Sequence, residues 1–470
     1  MKKLALAALA LTCLPSVVHA QNFSADDLSR RTIERRAVEA VIWGMPAVNT
    51  DLMLQEMLGK TTAKVGQVIY WGQPMEWHNQ TLTPNPDAIY FMAFYNVKDG
   101  PVVLDLPPGN ENGSFNGNIV TTWQMPLEDA GLLGLDKGAG GKFLVLPPGY
   151  TGAKPDGMTA LQSDTLGGYL LFRANLKSHS AADVQKAIAY GKTMKVYPLA
   201  QSANPPATVF VDVKDVTFDS TIKYDASFFQ NLDRIVQTEP WLQRDRAMID
   251  QLKSLGIEKG KPFTPSPKTT ASLNAGAREA QAVLEGMYDK GWATFFDGTQ
   301  WRPAAPADVV KAQSTAFADA DQYPTDLRGM TYSYGFVGIK RLGAGQFYLI
   351  SIRDKDGARL DGSKNYRLTV PPNVPIEQYW SVTVYDRQTH ALVRNMLRAS
   401  RSSQIPEMQM NADGSVDIYF GPQAPTGNDS NWVPTDPKRD FELMFRLYAP
   451  KKEFFDKVWV LPDVERLAAP

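Results

Sequence analysis

Residues 100–107 read Gly-Pro-Val-Val-Leu-Asp-Leu-Pro. Val102, Val103, Leu104 and Leu106 give this run the composition and length of a β-strand. The prolines at 101 and 107 cannot donate to a strand ladder, so they mark its ends. The same texture fills the chain from about Gly66 to Val213. Asn118 to Trp123, Lys142 to Leu146, Gly168 to Arg173 and Thr208 to Val213 are short apolar runs between Pro/Gly punctuation. Evenly punctuated short strands predict an antiparallel β-sandwich, because a parallel sheet would need helices between its strands.

Working outward, strand composition returns near the C-terminus. Phe347 to Arg353, Tyr366 to Val370, Trp380 to Tyr385, Val416 to Phe420 and Phe441 to Tyr448 are the candidates, with Asp356-Gly357 and Asp413-Gly414 as hairpin turns. Helical periodicity occupies the remaining stretches. Ser24 and Asp27 make a capping-box-like start before Leu28, Ile33, Ala37, Ala40 and Val41. Gly44 and Pro46 are expected to interrupt that helix, and a second follows through Leu52, Leu54 and Leu58. Ser227 to Gln230 reads as a capping box. Leu242 to Leu255 continues as a helix that stops at Gly256. Pro262, Pro265 and Pro267 make a stiff connector, and a further helix runs from Leu273 to Tyr288. The expected architecture is α+β: N-terminal helices plus a first β-sandwich over 21–215, a helical segment over 216–345 and a second β-sandwich over 346–470.

Residues 1–20 read as a secretory leader. Lys2 and Lys3 precede the apolar run Leu4 to Leu14, which is too short for a membrane anchor, and Val18-His19-Ala20 offers a cleavage site. Cleavage after Ala20 would place the mature chain in the periplasm or outside the cell. Cys13 is the single cysteine of 470 residues, so the mature chain would have no thiol. A disulfide, a cysteine nucleophile, a thiolate zinc site and an iron–sulfur cluster are then excluded. Removing the two leader lysines from 49 basic residues leaves 47 against 50 acidic ones, about −3 overall. Nucleic acid needs a clustered cationic surface, and none is visible. No later apolar stretch reaches the roughly 20 residues of a membrane span. No cofactor motif and no metal-ligand spacing stand out.

Several longer stretches carry a recognisable pattern: Ala40 to Pro46, Thr83-Pro-Asn-Pro-Asp-Ala-Ile-Tyr90, Gly100 to Pro107, Leu360-Asp-Gly362, Tyr379 to Tyr385, Asp413 to Ser415, Asn431-Trp-Val-Pro434 and Arg446-Leu-Tyr-Ala-Pro450. In this order they resemble bacterial exported proteins that pair two domains of unknown function, families 1254 and 1214. The resemblance covers most of the mature chain. It implies an immunoglobulin-like sandwich first and a jelly-roll-like sandwich second, and says little about activity. Members usually carry Thr after the Asp of the Pro-Asn-x-Asp motif, where this chain has Ala88.

No Gly-x-Ser-x-Gly elbow is present. Gly138 to Lys142 lacks the spacing and hydroxyl of a phosphate loop, and Asp354 to Gly357 lacks the Glu of a calcium loop. The best candidate for chemistry is the stiff turn Asn85-Pro-Asp87, with Glu76, His78 and Tyr90 nearby in sequence. Glu76, His78 and Asp87 could serve acid–base catalysis in a metal-independent hydrolase. Asn85 and Asp87 could equally hydrogen-bond their own backbone and cap the loop. Trp123, Trp380, Asn395, Asn431, Trp432 and Arg446 are candidates for ligand contact. Core packing competes for Trp380, and an ion pair competes for Arg446, which interrupts an apolar strand. The leading expectation is a cleft between two β modules that binds a small polar or aromatic molecule, with hydrolysis possible in chemical terms. The alternatives are the hydrolase and an envelope-assembly protein without a small-molecule site.

Overall fold

The computed structural model describes residues 23–335, 338–341 and 345–468. The leader and Cys13 lie outside them. The chain is α+β, with eight α-helices among the described residues. None of these helices is long and apolar enough to cross a membrane.

The first helix spans Ala25–Lys60 without a break. Ser24 caps it by accepting from the Asp27 amide over 3.1 Å. Asp26 and Asp27 in the first turn and Lys60 in the last complement the helix dipole. The expected interruption at Gly44 and Pro46 does not occur. From Val41 to Asp51 every residue is buried, so tertiary packing on all sides holds the helix through the proline. The Pro46 carbonyl accepts from Gln124 Nε2 over 2.9 Å. The Ile42 carbonyl, whose usual donor proline removes, is approached so closely by Gly329 that a Cβ there would sit 2.5 Å from it. Helices Pro267–Lys290 and Thr325–Tyr334 pack against this helix. Helix Ala226–Thr238 is capped by Asp225, not by Ser227 as read from the sequence.

The first β module has two sheets. One runs in the order Phe210–Asp212, Val68–Tyr70, Ala88–Asn96, Gly167–Asn175, Phe115–Thr121, Pro126–Gly131. The other runs Lys195–Pro198, Val102–Leu106, Gly141–Leu146, Met158–Gln162. The second module has a sheet in the order Arg302–Pro303, Gln346–Ser351, Phe441–Tyr448, Trp380–Asp386, Ser400–Ser402, and another in the order Trp432–Pro434, Val416–Gly421, Tyr366–Val370, Glu465–Arg466. The central ladders are antiparallel, as expected. Three of these four sheets also contain one parallel pair, so the antiparallel expectation does not hold throughout. Helix Ala181–Gly191, absent from the sequence reading, packs on the first module.

Strand Ala88–Asn96 is buried on both faces. Ile89, Phe91, Ala93 and Tyr95 enter the core between the first module's sheets. Ala88, Tyr90, Met92 and Phe94 face a second core, shared with the helices and with Ile350, Tyr385 and Met444 of the second module. This shared layer brings the two modules together around one interior.

Candidate functional site

Each module contributes a tyrosine opposite an arginine on neighbouring antiparallel strands. In the first, Tyr90 pairs in register with Arg173, and the guanidinium lies 5.1 Å from the ring centre. In the second, Tyr348 pairs with Arg446, again at 5.1 Å. Both arginines interrupt apolar strands and both are buried, at 6 % and 1 % exposure. Among the described residues neither has a carboxylate within ion-pair distance. Arg173 donates from Nε to the Tyr90 hydroxyl over 2.9 Å, and its Nη1 is buried without a partner. Arg446 donates to Thr383 Oγ1 over 2.9 Å, to the Thr83 carbonyl over 3.0 Å and to the Tyr385 hydroxyl. Its Nε is buried without a partner. Burial opposes both charges, but surrounding tyrosine oxygens, led by Tyr90 for Arg173 and Tyr385 for Arg446, hold both side chains more basic than usual. The ion pair considered for Arg446 is therefore replaced by neutral oxygens and ring faces.

Between the two pairs lies a cavity of about 100 Å³. A single ordered water needs about 10–15 Å³, so this space takes several waters or one small organic molecule. The first module lines it with Trp71, Met92 and Leu171 beside Tyr90 and Arg173, and the second with Tyr348 and Met444. Asn49 and Met53 of the first helix close another side. Among the described residues no carboxylate lines the chamber.

The loop Thr83–Asp87 seals one wall. The Thr83 amide donates to the His390 carbonyl over 2.7 Å, and both residues take left-handed backbone conformations, with φ of 40° and 54°. The Pro84 carbonyl accepts from Tyr385 over 2.5 Å. Asn85 donates from Nδ2 to Tyr448 over 2.6 Å and accepts from the Asp87 amide over 3.0 Å. Its own amide donates to the Tyr90 hydroxyl over 3.0 Å. Burial raises the pKa of Tyr379 and Tyr448 well above the ordinary tyrosine range, so both stay protonated donors. Tyr448 lies 3.2 Å from Tyr348, whose hydroxyl donates to Gln346 over 2.7 Å. One run of hydrogen bonds thus joins the loop to the chamber wall.

The family described as Protein of unknown function (DUF1254) matches residues 65–198, and Protein of unknown function (DUF1214) matches residues 345–452. The chain pairs a DUF1254 domain with a DUF1214 domain. The VPA0106 protein from Vibrio parahaemolyticus shares this fold, with a TM-score of 0.58 at 17 % identity, over 93 % of this chain and 100 % of that one. A protein from Burkholderia cenocepacia aligns at a TM-score of 0.43 and 11 % identity, over 94 % and 96 % of the two chains. No curated protein matches the chain at a significant level. Tyr90 and Arg173 belong to the DUF1254 domain, and Tyr348 and Arg446 to the DUF1214 domain.

The other residues singled out in sequence are spread across both domains. In DUF1254, Glu76 and His78 bond to each other, half-exposed, with His78 stacked on Trp77. Asp87 is fully buried, and its Oδ1 accepts from Ser400 over 3.0 Å and lies 3.3 Å from His179 Nε2. No hydrogen bond joins Asp87 to the Glu76–His78 pair among the described residues. Trp123 packs on Trp43, with ring centres 4.6 Å apart. In DUF1214, Trp380 stacks on Phe445 in the core. Asn395 is exposed with φ of 60°. Asn431 ties Gln409 and Asp417 backbone groups together, and Trp432 donates to the Gly421 carbonyl. Of the sequence candidates, Tyr90 lines the chamber, while Asn85 and Arg446 stand behind the lining, bonded to Tyr448 and packed on Tyr348 respectively. Sequence reasoning missed Arg173, Tyr348 and Gln346. Arg173 carries the signal that marked Arg446, a cation within the apolar strand Tyr169-Leu-Leu-Phe-Arg173.

Proposed function

We propose that this protein binds a small molecule in the chamber between its two domains, with the apolar body among Met92, Leu171 and Met444 and a polar group toward Arg173. What carries this reading is a largely apolar cavity with a few convergent polar groups, the usual anatomy of a small-molecule site. Asn85 and Asp87 act as the wall that shapes the chamber, not as its chemistry. We further propose that the first domain is immunoglobulin-like and the second jelly-roll-like, and that the chain works outside the cytoplasm after cleavage at Ala20, so exported material should show an intact mass without Cys13.

The test is a thermal-shift screen with small aromatic and aliphatic acids, amides and alcohols. A ligand at a hundredfold excess over its Kd stabilises by about 2.7 kcal/mol. Leu171→Trp, which fills the space, should abolish the shift. A screen in which no compound moves the melting temperature sinks the reading.

A further inference from the structure

We infer that the chamber's ligand carries a carboxylate, received by the guanidinium of Arg173 and the hydroxyl of Tyr90. This rests on the chamber being a binding site and names the chemistry of what enters it.

The chamber holds hydrogen-bond donors without acceptors among the described residues. The Tyr90 oxygen accepts twice, from the Asn85 amide over 3.0 Å and from Arg173 Nε over 2.9 Å. Its own O–H proton then has no acceptor among the described residues. Arg173 Nη1 is buried without a partner, and so is the indole Nε1 of Trp71. Trp71 follows strand Val68–Tyr70 and sits beside Tyr90, its amide donating to the Tyr90 carbonyl over 3.2 Å. These two nitrogens are the only unpartnered buried side-chain polar atoms on described lining residues, and both are donors. A chamber with spare donors and no carboxylate of its own is complementary to an acceptor-rich anion.

Three features favour a carboxylate over a phosphate. Arg173 Nη1 and the Tyr90 O–H are two spare donors, one for each oxygen of a planar carboxylate. Arg446 does not line the chamber, and its Nη groups are taken by Thr383, Thr83 and Tyr385, so it offers no second cation to the ligand. The other polar groups of the lining, among them Asn49, Gln124, Tyr169, Tyr334 and Tyr348, already donate within the protein, which leaves few donors for a dianion's further oxygens. Arg173 is buried with a neutral partner and, among the described residues, no carboxylate, and a bound carboxylate supplies the missing counter-charge.

The test is isothermal titration calorimetry of the wild-type protein with acetate, butyrate and benzoate, each beside its own amide. At least one acid should bind about tenfold tighter than its amide, as expected for a charge-assisted pair. Arg173→Gln should bring acid and amide within about threefold, and Tyr90→Phe should weaken the acid more than the amide. Amides that bind as well as every acid overturn the carboxylate while leaving the chamber in use. Absence of binding by acids and amides alike overturns the chamber reading itself, and the inference with it. The wild-type comparison needs no variant, so it stands even where Arg173→Gln fails to fold. Inorganic phosphate binding tighter than every carboxylate also overturns the inference.

Discussion

Asp87, a sequence candidate for acid–base chemistry, is a packed residue of the loop. Its carboxylate is fully buried against Ser400 and His179, and its backbone carbonyl accepts from Tyr379 over 3.3 Å. Burial pulls the His179 pKa down, but the Asp87 carboxylate beside it outweighs that and raises it above the ordinary value. Asp87→Asn removes the charge and keeps the shape. Histidine titration by NMR should then show His179 shifting to lower pKa, with a melting temperature lowered near neutral pH. An unchanged His179 titration curve would dissociate the two groups. The Pro-Asn-Pro-Asp turn was legible as a rigid platform because its prolines restrict the backbone locally. Its partners were not. Tyr379, Ser400 and Tyr448 lie 294, 313 and 363 residues from their partners in the loop, and only the register of distant strands brings them to it.

At the scale of elements, helix Pro267–Lys290 is joined to the second module through a charged cluster. His390 Nδ1 lies 2.9 Å from Glu442 and its Nε2 lies 3.4 Å from Glu285 of the helix. Arg387 pairs with Glu285 over 2.7 Å and with Asp289 over 3.1 Å, and Tyr288 donates to Glu442 over 2.8 Å. Burial opposes the imidazolium, but Glu442 and Glu285 outweigh it and lift His390 to about 9. Because the folded value exceeds the unfolded one, the stabilisation is fully present below about pH 6.5 and is lost as pH rises through about 9. The melting temperature should therefore fall across that window, and His390→Gln should flatten the fall. A wild-type curve flat from pH 6.5 to 9.5 contradicts the charged contact. Helix Pro267–Lys290 itself was readable from Leu273, Ala277, Ala280 and Leu284. The unbroken first helix was not, because Pro46 predicts a stop that only the surrounding burial overrides.

For the whole molecule, the shared core decides how the parts depend on one another. It runs from the first helix through Tyr90 and Met92 to Ile350 and Met444. Neither module encloses that face alone. Calorimetry should show one unfolding transition with equal calorimetric and van't Hoff enthalpies, and residues 346–470 expressed alone should lack a cooperative transition. Two separated transitions in the full chain would show that the halves fold independently. The two β-rich regions were visible from punctuated strand runs, and Asp356-Gly357 and Asp413-Gly414 do turn the chain, with glycine φ of 81° and 83°. Their parallel edge pairs were hidden, since periodicity reports which face a residue occupies and not which way its neighbour runs.

The seating of Thr83–Asp87 among Tyr379, Tyr385, Tyr448 and Arg446 bears on how such proteins diverge and recombine. A chimera that takes its front half from one homologue and its rear half from another inherits a turn and a socket that never adapted to each other. Asn85 would meet a misplaced phenol, and Arg446 would lose the Thr83 carbonyl that accepts from it. Viable hybrids should need both sides of this seam from the same parent, wherever else the crossover falls.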